Sequence, residues 1–214
     1  AQRGVDGFII ASPSISDEVL KEILQIKKRP VIVLDQKTTV ERSDEVATDD
    51  FNGGLLAAQY LKKMGHTKVA VVVPDLATVN IMHRLQGFLV EFPQALQLKT
   101  ELSKNGGQAV VAELLDQKIE AVFALSDELA FGIYLGMRQN DKSVPDDLSV
   151  IGYDDVEMCR YVTPALTTVA QPIYELGKQA ADLMVKRLAD PTSPYVKRIL
   201  PVELAIRGSV KVKI

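Results

Sequence analysis

The chain has 214 residues, 47% hydrophobic and 25% charged, an ordinary balance for a globular protein and enough for one large domain or two small ones. A net charge of -3 argues against nucleic-acid binding by this stretch alone, because gripping phosphates needs a basic face. No apolar run reaches the ~18 residues of a membrane span; the lone Cys159 excludes an internal disulfide and suits a reducing compartment; and the opening Ala1-Gln-Arg-Gly-Val-Asp lacks the apolar stretch of a secretion signal.

Residues 5–11, VDGFIIA, read as a buried strand. A turn over residues 12–14 follows, and Ser16 is placed to cap a helix through about residue 27, with Val19, Leu20, Ile23, Leu24 and Ile26 on its apolar side. Residues 30–34 form the next strand, ending at Asp35, and residues 45–48 a short one leading to Asp49-Asp50-Phe51-Asn52-Gly53-Gly54. A helix then runs to about Met64, closed by Gly65 just past its end, and residues 68–73 are another buried strand. The glycine pair fits close packing of a helix start against the sheet; a phosphate loop would need a G-x-G-x-x-G or Walker pattern, and neither is present. His66 reads as a local hydrogen-bonding residue. With two histidines and one cysteine in the chain, candidate zinc ligands are few, and neither a metal nor a cofactor is expected.

Residues 75–80 form a loop and residues 81–91 a helix containing Arg84-Leu-Gln-Gly87-Phe88. A strand over 97–102 and a helix over 106–117 follow, the latter with Val110, Val111, Leu114 and Leu115 inward. Residues 121–172 carry the densest pattern. Two apolar runs, 121–124 and 149–152, end in the acidic clusters Ser126-Asp127-Glu128 and Tyr153-Asp154-Asp155, with a helical pattern over 128–138 between them. This β-α-β unit sets both clusters beyond the carboxyl ends of parallel strands, the edge where open sheets bind ligands. A long helix over 173–189, a loop over 190–194 and strand-like runs over 198–206 complete an α/β chain.

The segments AVFALSDELAFG, SVPDDLSVIGYDD and TPALTTVAQP, in that order, resemble the effector-binding core of the lactose-repressor family of bacterial transcription regulators. VDGFII, RPVIVLD, DDFNGG, GHTKVAVV, RLQGF and ILPVELAIRGS extend the resemblance along the chain. It implies a periplasmic-binding-protein-like fold of type I, with two doubly wound parallel-sheet lobes and a hinged cleft between them. The first lobe would hold residues 1–74 and 171–201 and the second 75–170 and 202–214, with crossings near Pro74, Gln171 and Pro201. A small polar effector, sugar-like or purine-like, would close the lobes by its differential affinity. Operator DNA would be reached only through an N-terminal helix-turn-helix that this sequence does not contain. A cytoplasmic homodimer with no membrane contact is implied, residues 156–161 with Met158 and Tyr161 forming part of the contact. Roughly a strand and a helix of the family core lie before this sequence, so the first lobe is expected to be incomplete. If residues 5–11 are the family's second strand, a gap of ~10 Å should separate them from residues 30–34, two strand spacings wide.

Residue chemistry and resemblance together nominate the ligand contacts. Arg84 is a forked donor and Asp154 an acceptor; Asn80 and Ser126 can do either; Phe51 could cover a ring face. By resemblance Asp50, Thr78 and Gln171 also belong to the cleft. Ser126 stands where sugar-binding members commonly carry Asn, which speaks against a plain hexose or pentose. Asp127 reads equally as an acid favoured by the helix dipole or as a ligand contact, while Asp155 and Glu128 read as solvated. The alternative function is an extracytoplasmic solute-binding protein of a sugar transporter. An enzyme is a third class, but no catalytic residue is nominated. Asp49-Asp50 and Asp154-Asp155 are adjacent pairs that rarely point the same way, and no nucleophile–base–orienter set is visible.

Overall fold

The computed structural model describes residues 4–12, 15–27, 29–36, 38–76 and 78–213, and the turn expected over 12–14 therefore falls partly outside the described residues. In chain order the elements are β1 (Phe8–Ala11), α1 (Asp17–Lys27), β2 (Val31–Leu34), β3 (Asp44–Thr48), α2 (Asp50–Lys63), β4 (Val69–Pro74), α3 (Val79–Glu91), β5 (Leu96–Thr100), α4 (Lys104–Ala109) and α5 (Val111–Asp116). There follow β6 (Ala121–Ala124), α6 (Asp127–Gln139), β7 (Ser149–Asp154), a single 3-10 turn (Glu157–Arg160), β8 (Thr167–Ala170), α7 (Ile173–Ala189), β9 (Lys197–Leu200) and β10 (Glu203–Ala205). The helix expected over 106–117 is two short ones, divided at Val110. Ser16 Oγ accepts from Val19 N at 3.3 Å, the cap expected of it. Gly65 takes φ +86 past the end of α2, a conformation glycine adopts without steric cost.

These elements form two compact units. The first holds Ala1–Asp49, Thr78–Asn80 and Pro172–Pro201; the second holds Asp50–Ala77, Ile81–Gln171 and Val202–Ile214. The first change-over thus falls at Asp49/Asp50 and not near Pro74. The reason is pairing: β4, expected in the first lobe, lies between β5 and β6, bonded to both in parallel, and α2 packs on β6, β8 and β10. The later change-overs fall at Gln171/Pro172 and Pro201/Val202.

In unit 1 a parallel sheet runs in the order β1-β2-β3-β9. Strand alternation sends Val31 and Val33 to one face, where Leu20 of α1 joins them, and Ile32 to the other, against Leu176, Ala180 and Leu183 of α7. The expected gap between residues 5–11 and 30–34 is absent. β1 pairs directly with β2, Phe8 opposite Val31 through Ala11 opposite Leu34, since strands joined by one crossover helix commonly lie side by side. Among the described residues β1 has no second neighbour, so it forms the sheet's edge.

In unit 2 the order is β10-β8-β7-β6-β4-β5, parallel except for β10, which runs antiparallel to β8. Helices cover both faces, so the central strands β4 and β6 read as continuous apolar runs. Val69, Val71 and Val73 pack with Ala57, Leu61, Leu85 and Phe88 of α2 and α3, and Ala70 and Val72 pack with residues of α5 and α6. This topology brings the carboxyl ends of β6 and β7 to one edge, beside the first turn of α2 and the middle of α3.

Candidate functional site

Arg84 is the centre of that edge. It projects from α3 and is 6% exposed. Its Nε donates to Asp50 Oδ1 at 2.8 Å and its Nη1 to the Leu125 carbonyl at 3.0 Å, with Asp154 Oδ1 3.6 Å from Nη1. The guanidinium lies over the Tyr153 ring, 3.7 Å from its centroid, and the Tyr153 hydroxyl donates to Asp50 Oδ1 at 3.1 Å. Burial, the largest influence on Arg84, disfavours its charge, but Tyr153, Asp154 and Asp50 outweigh it and hold the pKa above the ordinary value. The Tyr153 hydroxyl is pushed well up, first by burial, so it stays protonated and available to donate.

Close helix packing makes this possible. A Cβ at Gly54 would lie 1.9 Å from the Arg84 carbonyl oxygen, and one at Gly87 would lie 1.9 Å from that of Phe51. The glycines of DDFNGG and RLQGF therefore let α2 and α3 touch backbone to backbone, which sets the Arg84–Asp50 distance. Close packing of the helix start against the sheet was the expected role of the glycine pair; Gly53 does face β7, where a Cβ would lie 2.5 Å from the Tyr153 hydroxyl, whereas Gly54 packs on α3.

Asp154 ends β7 with φ +122, and Asp155 follows with φ +56. Both are conformations that non-glycine residues rarely adopt, costing about 1–3 kcal/mol each, and such residues cluster at functional sites. The side chain of Asp154 is 29% exposed, so solvent reaches this carboxylate, whereas that of Asp50 is 2% exposed. Gln171 Nε2 donates to Asp154 Oδ1 at 2.7 Å. Ser126, also buried, caps α6 by accepting from Leu129 N at 3.3 Å.

Five of the eight nominated residues, Arg84, Asp50, Asp154, Gln171 and Ser126, thus meet at one edge of unit 2. Phe51 lies in the first turn of α2 with 40% of its surface exposed. Asn80 and Thr78 group with unit 1, where Asn80 Nδ2 donates to the Asp35 carbonyl at 2.7 Å. The sequence reading missed Tyr153. Period-two alternation from Ile151 was its signal, since both pack on the α2 and α3 side.

Asp127 resolves towards structure. It accepts from Thr168 Oγ1 at 2.6 Å, Val156 N at 3.0 Å and the Cys159 thiol at 3.0 Å, tying α6 to β8 and to the turn after β7. Burial raises its pKa and also raises that of Cys159, leaving an unreactive thiol. Asp155 is not the solvated acid expected: Arg207 Nη2 holds it at 2.5 Å, with Arg160 at 3.8 Å. Among the described residues no three His, Cys, Asp or Glu side chains are grouped to hold a metal, and no helix is long and apolar enough to cross a membrane.

A family profile described as a periplasmic binding protein-like domain matches residues 58–210. The chain is 32% identical to the ribose operon repressor of Escherichia coli (strain K12) over 97% of its own length and 66% of the repressor's. It is 31% identical to the HTH-type transcriptional repressor PurR of Vibrio parahaemolyticus, over 99% and 66%. It therefore spans just under two thirds of these relatives. Among solved structures it resembles a LacI family transcriptional regulator from Enterococcus faecium with bound ribose, at 44% identity and a TM-score of 0.93, covering 100% of this chain and 82% of the other. A LacI family regulator from Enterococcus faecalis V583, also with bound ribose, matches at 45% identity and 0.94, over 100% and 80%.

Proposed function

Because the chain belongs to the LacI family of transcriptional regulators and carries its periplasmic binding protein-like domain, we propose that it is the effector-sensing core of a bacterial repressor, with a pentose of the ribose type as effector. The observation that carries this reading is the cluster of Arg84, Asp50 and Asp154 at the carboxyl edge of a parallel sheet, in a chain 44–45% identical to two regulators crystallised with ribose. A sugar presents a ring of hydroxyls, each donor and acceptor at once. Asp154 and Gln171 offer an acceptor and a donor on one side, Arg84 a fixed cation beside them, and Ser126 a hydroxyl at the neighbouring strand end. Phe51 supplies the partly exposed aromatic ring that a sugar face packs against.

The Ser126 departure from Asn has another reading than effector chemistry. Ser and Asn are nearly equivalent helix caps, and Ser126 caps α6. In the whole protein the effector would control operator binding by a separate DNA-reading domain, in the cytoplasm, and no catalytic step is assigned to this core. A homodimer is part of the proposal. Met158 and Tyr161 are 53% and 71% exposed beside the 3-10 turn, and a pair of DNA-reading heads facing two half-sites requires paired cores. Sedimentation of the whole protein as a monomer at every concentration would remove that part.

The test is a thermal-shift series with D-ribose, other sugars, sugar phosphates and purines. At a hundred times its Kd an effector stabilises the folded state by about 2.7 kcal/mol, a rise of about 5–10 °C in a chain of this size. D-ribose should give it. A series in which only a purine raises the midpoint would overturn the pentose reading, and one in which nothing does would overturn the sensing role.

A further inference from the structure

From the charge arrangement around Arg84 we infer that the site selects unphosphorylated sugars over their phosphate esters, with the Asp154 carboxylate as the selecting group. The inference rests on the effector reading above and narrows it to one chemical class.

Recognition of a phosphate dianion calls for cations with unused donors or for a helix N-terminus free of competing anions. The charge of Arg84 is already balanced: its Nε donates to Asp50, its Nη1 to the Leu125 carbonyl, and Asp154 stands 3.6 Å from Nη1. Two carboxylates thus face one guanidinium, and the more exposed of them is Asp154. The two helices that contribute Asp50 and follow Ser126 carry their own acids in the first turn, Asp50 in α2 and Asp127 with Glu128 in α6. Three further cations near this edge are paired with acids. Lys104 lies 3.8 Å from Glu128, and Arg207 and Arg160 bracket Asp155. Hydroxyl groups can donate to Asp154 at no electrostatic cost, whereas a phosphoester brought to the same place meets a carboxylate held in position by Gln171.

The sensor would consequently respond to a sugar before its phosphorylation. The reaction class that removes its signal is phosphoryl transfer to a sugar hydroxyl.

Isothermal titration of D-ribose and D-ribose 5-phosphate at pH 7.5 tests this. We expect the phosphate ester to bind at least ~100-fold more weakly, the size of effect that juxtaposed like charges produce. Asp154→Asn keeps the side-chain shape and removes the charge. It should weaken D-ribose and narrow the gap between the two ligands at least ~10-fold. In the unmodified chain, raising the salt from 0.05 to 0.5 M should improve ribose 5-phosphate binding and leave D-ribose unchanged, because screening acts on charge alone. Equal binding of the two ligands overturns the inference and leaves the effector reading intact. A gap that neither Asp154→Asn nor salt alters assigns the selection to shape and overturns the role of Asp154. If neither ligand binds, the effector reading itself fails.

Discussion

Each unit buries one arginine against one aspartate, and the two pairs look alike until their remaining bonds are followed. In unit 1 Arg187 binds Asp44 through two bonds of 2.9 and 3.1 Å, and in unit 2 Arg84 binds Asp50 through one of 2.8 Å. The arginines are 5% and 6% exposed, and each lies over a tyrosine, Tyr195 at 4.3 Å and Tyr153 at 3.7 Å. Arg187 gives its other donors to the carbonyls of Pro191, Ser193 and Pro194, while Asp44 also accepts from Val196 N at 2.8 Å. All of it serves the loop between α7 and β9, and every group involved sits in ordinary secondary structure or a turn. Arg84 instead reaches towards Asp154, a partly exposed carboxylate on a strained backbone at the end of a parallel strand. Burial, charge pairing and a stacked ring are therefore common to a latch and a binding site. What separates them is whether one partner faces solvent in a conformation the fold does not otherwise need.

The largest expected effect breaks the latch. Arg187→Ala leaves Asp44 buried without its partner and should lower the unfolding free energy by about 3–5 kcal/mol in urea titration. Where the variant remains folded, its affinity for D-ribose should stay within about threefold of the unaltered chain. Next comes the site itself. Arg84→Ala should weaken D-ribose binding by about 1.5–3 kcal/mol, the range for a hydrogen bond to a charged group, read by isothermal titration. An unchanged affinity there, or a loss of the same size in Arg187→Ala, would erase the distinction between the pairs.

How much of this was legible in the sequence differs between the two arginines. RLQGF and SVIGYDD marked Arg84 and Asp154 because spaced motifs and strand ends are local features. Arg187 and Asp44 are 143 residues apart with no motif joining them, and nothing short of the fold reveals that they meet. The assignment of β4 went astray for the same reason. A buried strand announces itself by composition, but its neighbours in a sheet are set by long-range pairing. Tyr153 was readable in principle from alternation, yet its hydroxyl contact with Asp50 depends on Gly53, where a Cβ would lie 2.5 Å from that hydroxyl.

Smaller effects sharpen the contrast. Tyr153→Phe removes one neutral donor to Asp50 and should cost about 0.5–1.5 kcal/mol of stability, with a smaller loss of D-ribose affinity than Arg84→Ala. At the protein surface, Lys213 and the amides of Thr67 and Lys68 hold Glu120. These bonds overcome the opposing effect of burial and bring its pKa down to about 2. A depressed carboxylate stabilises the fold above its unfolded pKa and loses that contribution as pH falls through the folded one. Glu120→Gln should therefore cost about 0.2–1 kcal/mol at pH 7, as exposed pairs do, and the difference should fade between pH 4.5 and about 2.

On this reading the edge around Arg84 takes the effector and the Arg187 latch does not. Hydrogen–deuterium exchange with and without saturating D-ribose tests both halves at once. Exchange should slow in peptides spanning residues 81–88, 125–129 and 153–156, with no change across residues 187–196. Saturating D-ribose that leaves the first three peptides unprotected, or that protects residues 187–196 instead, would contradict it.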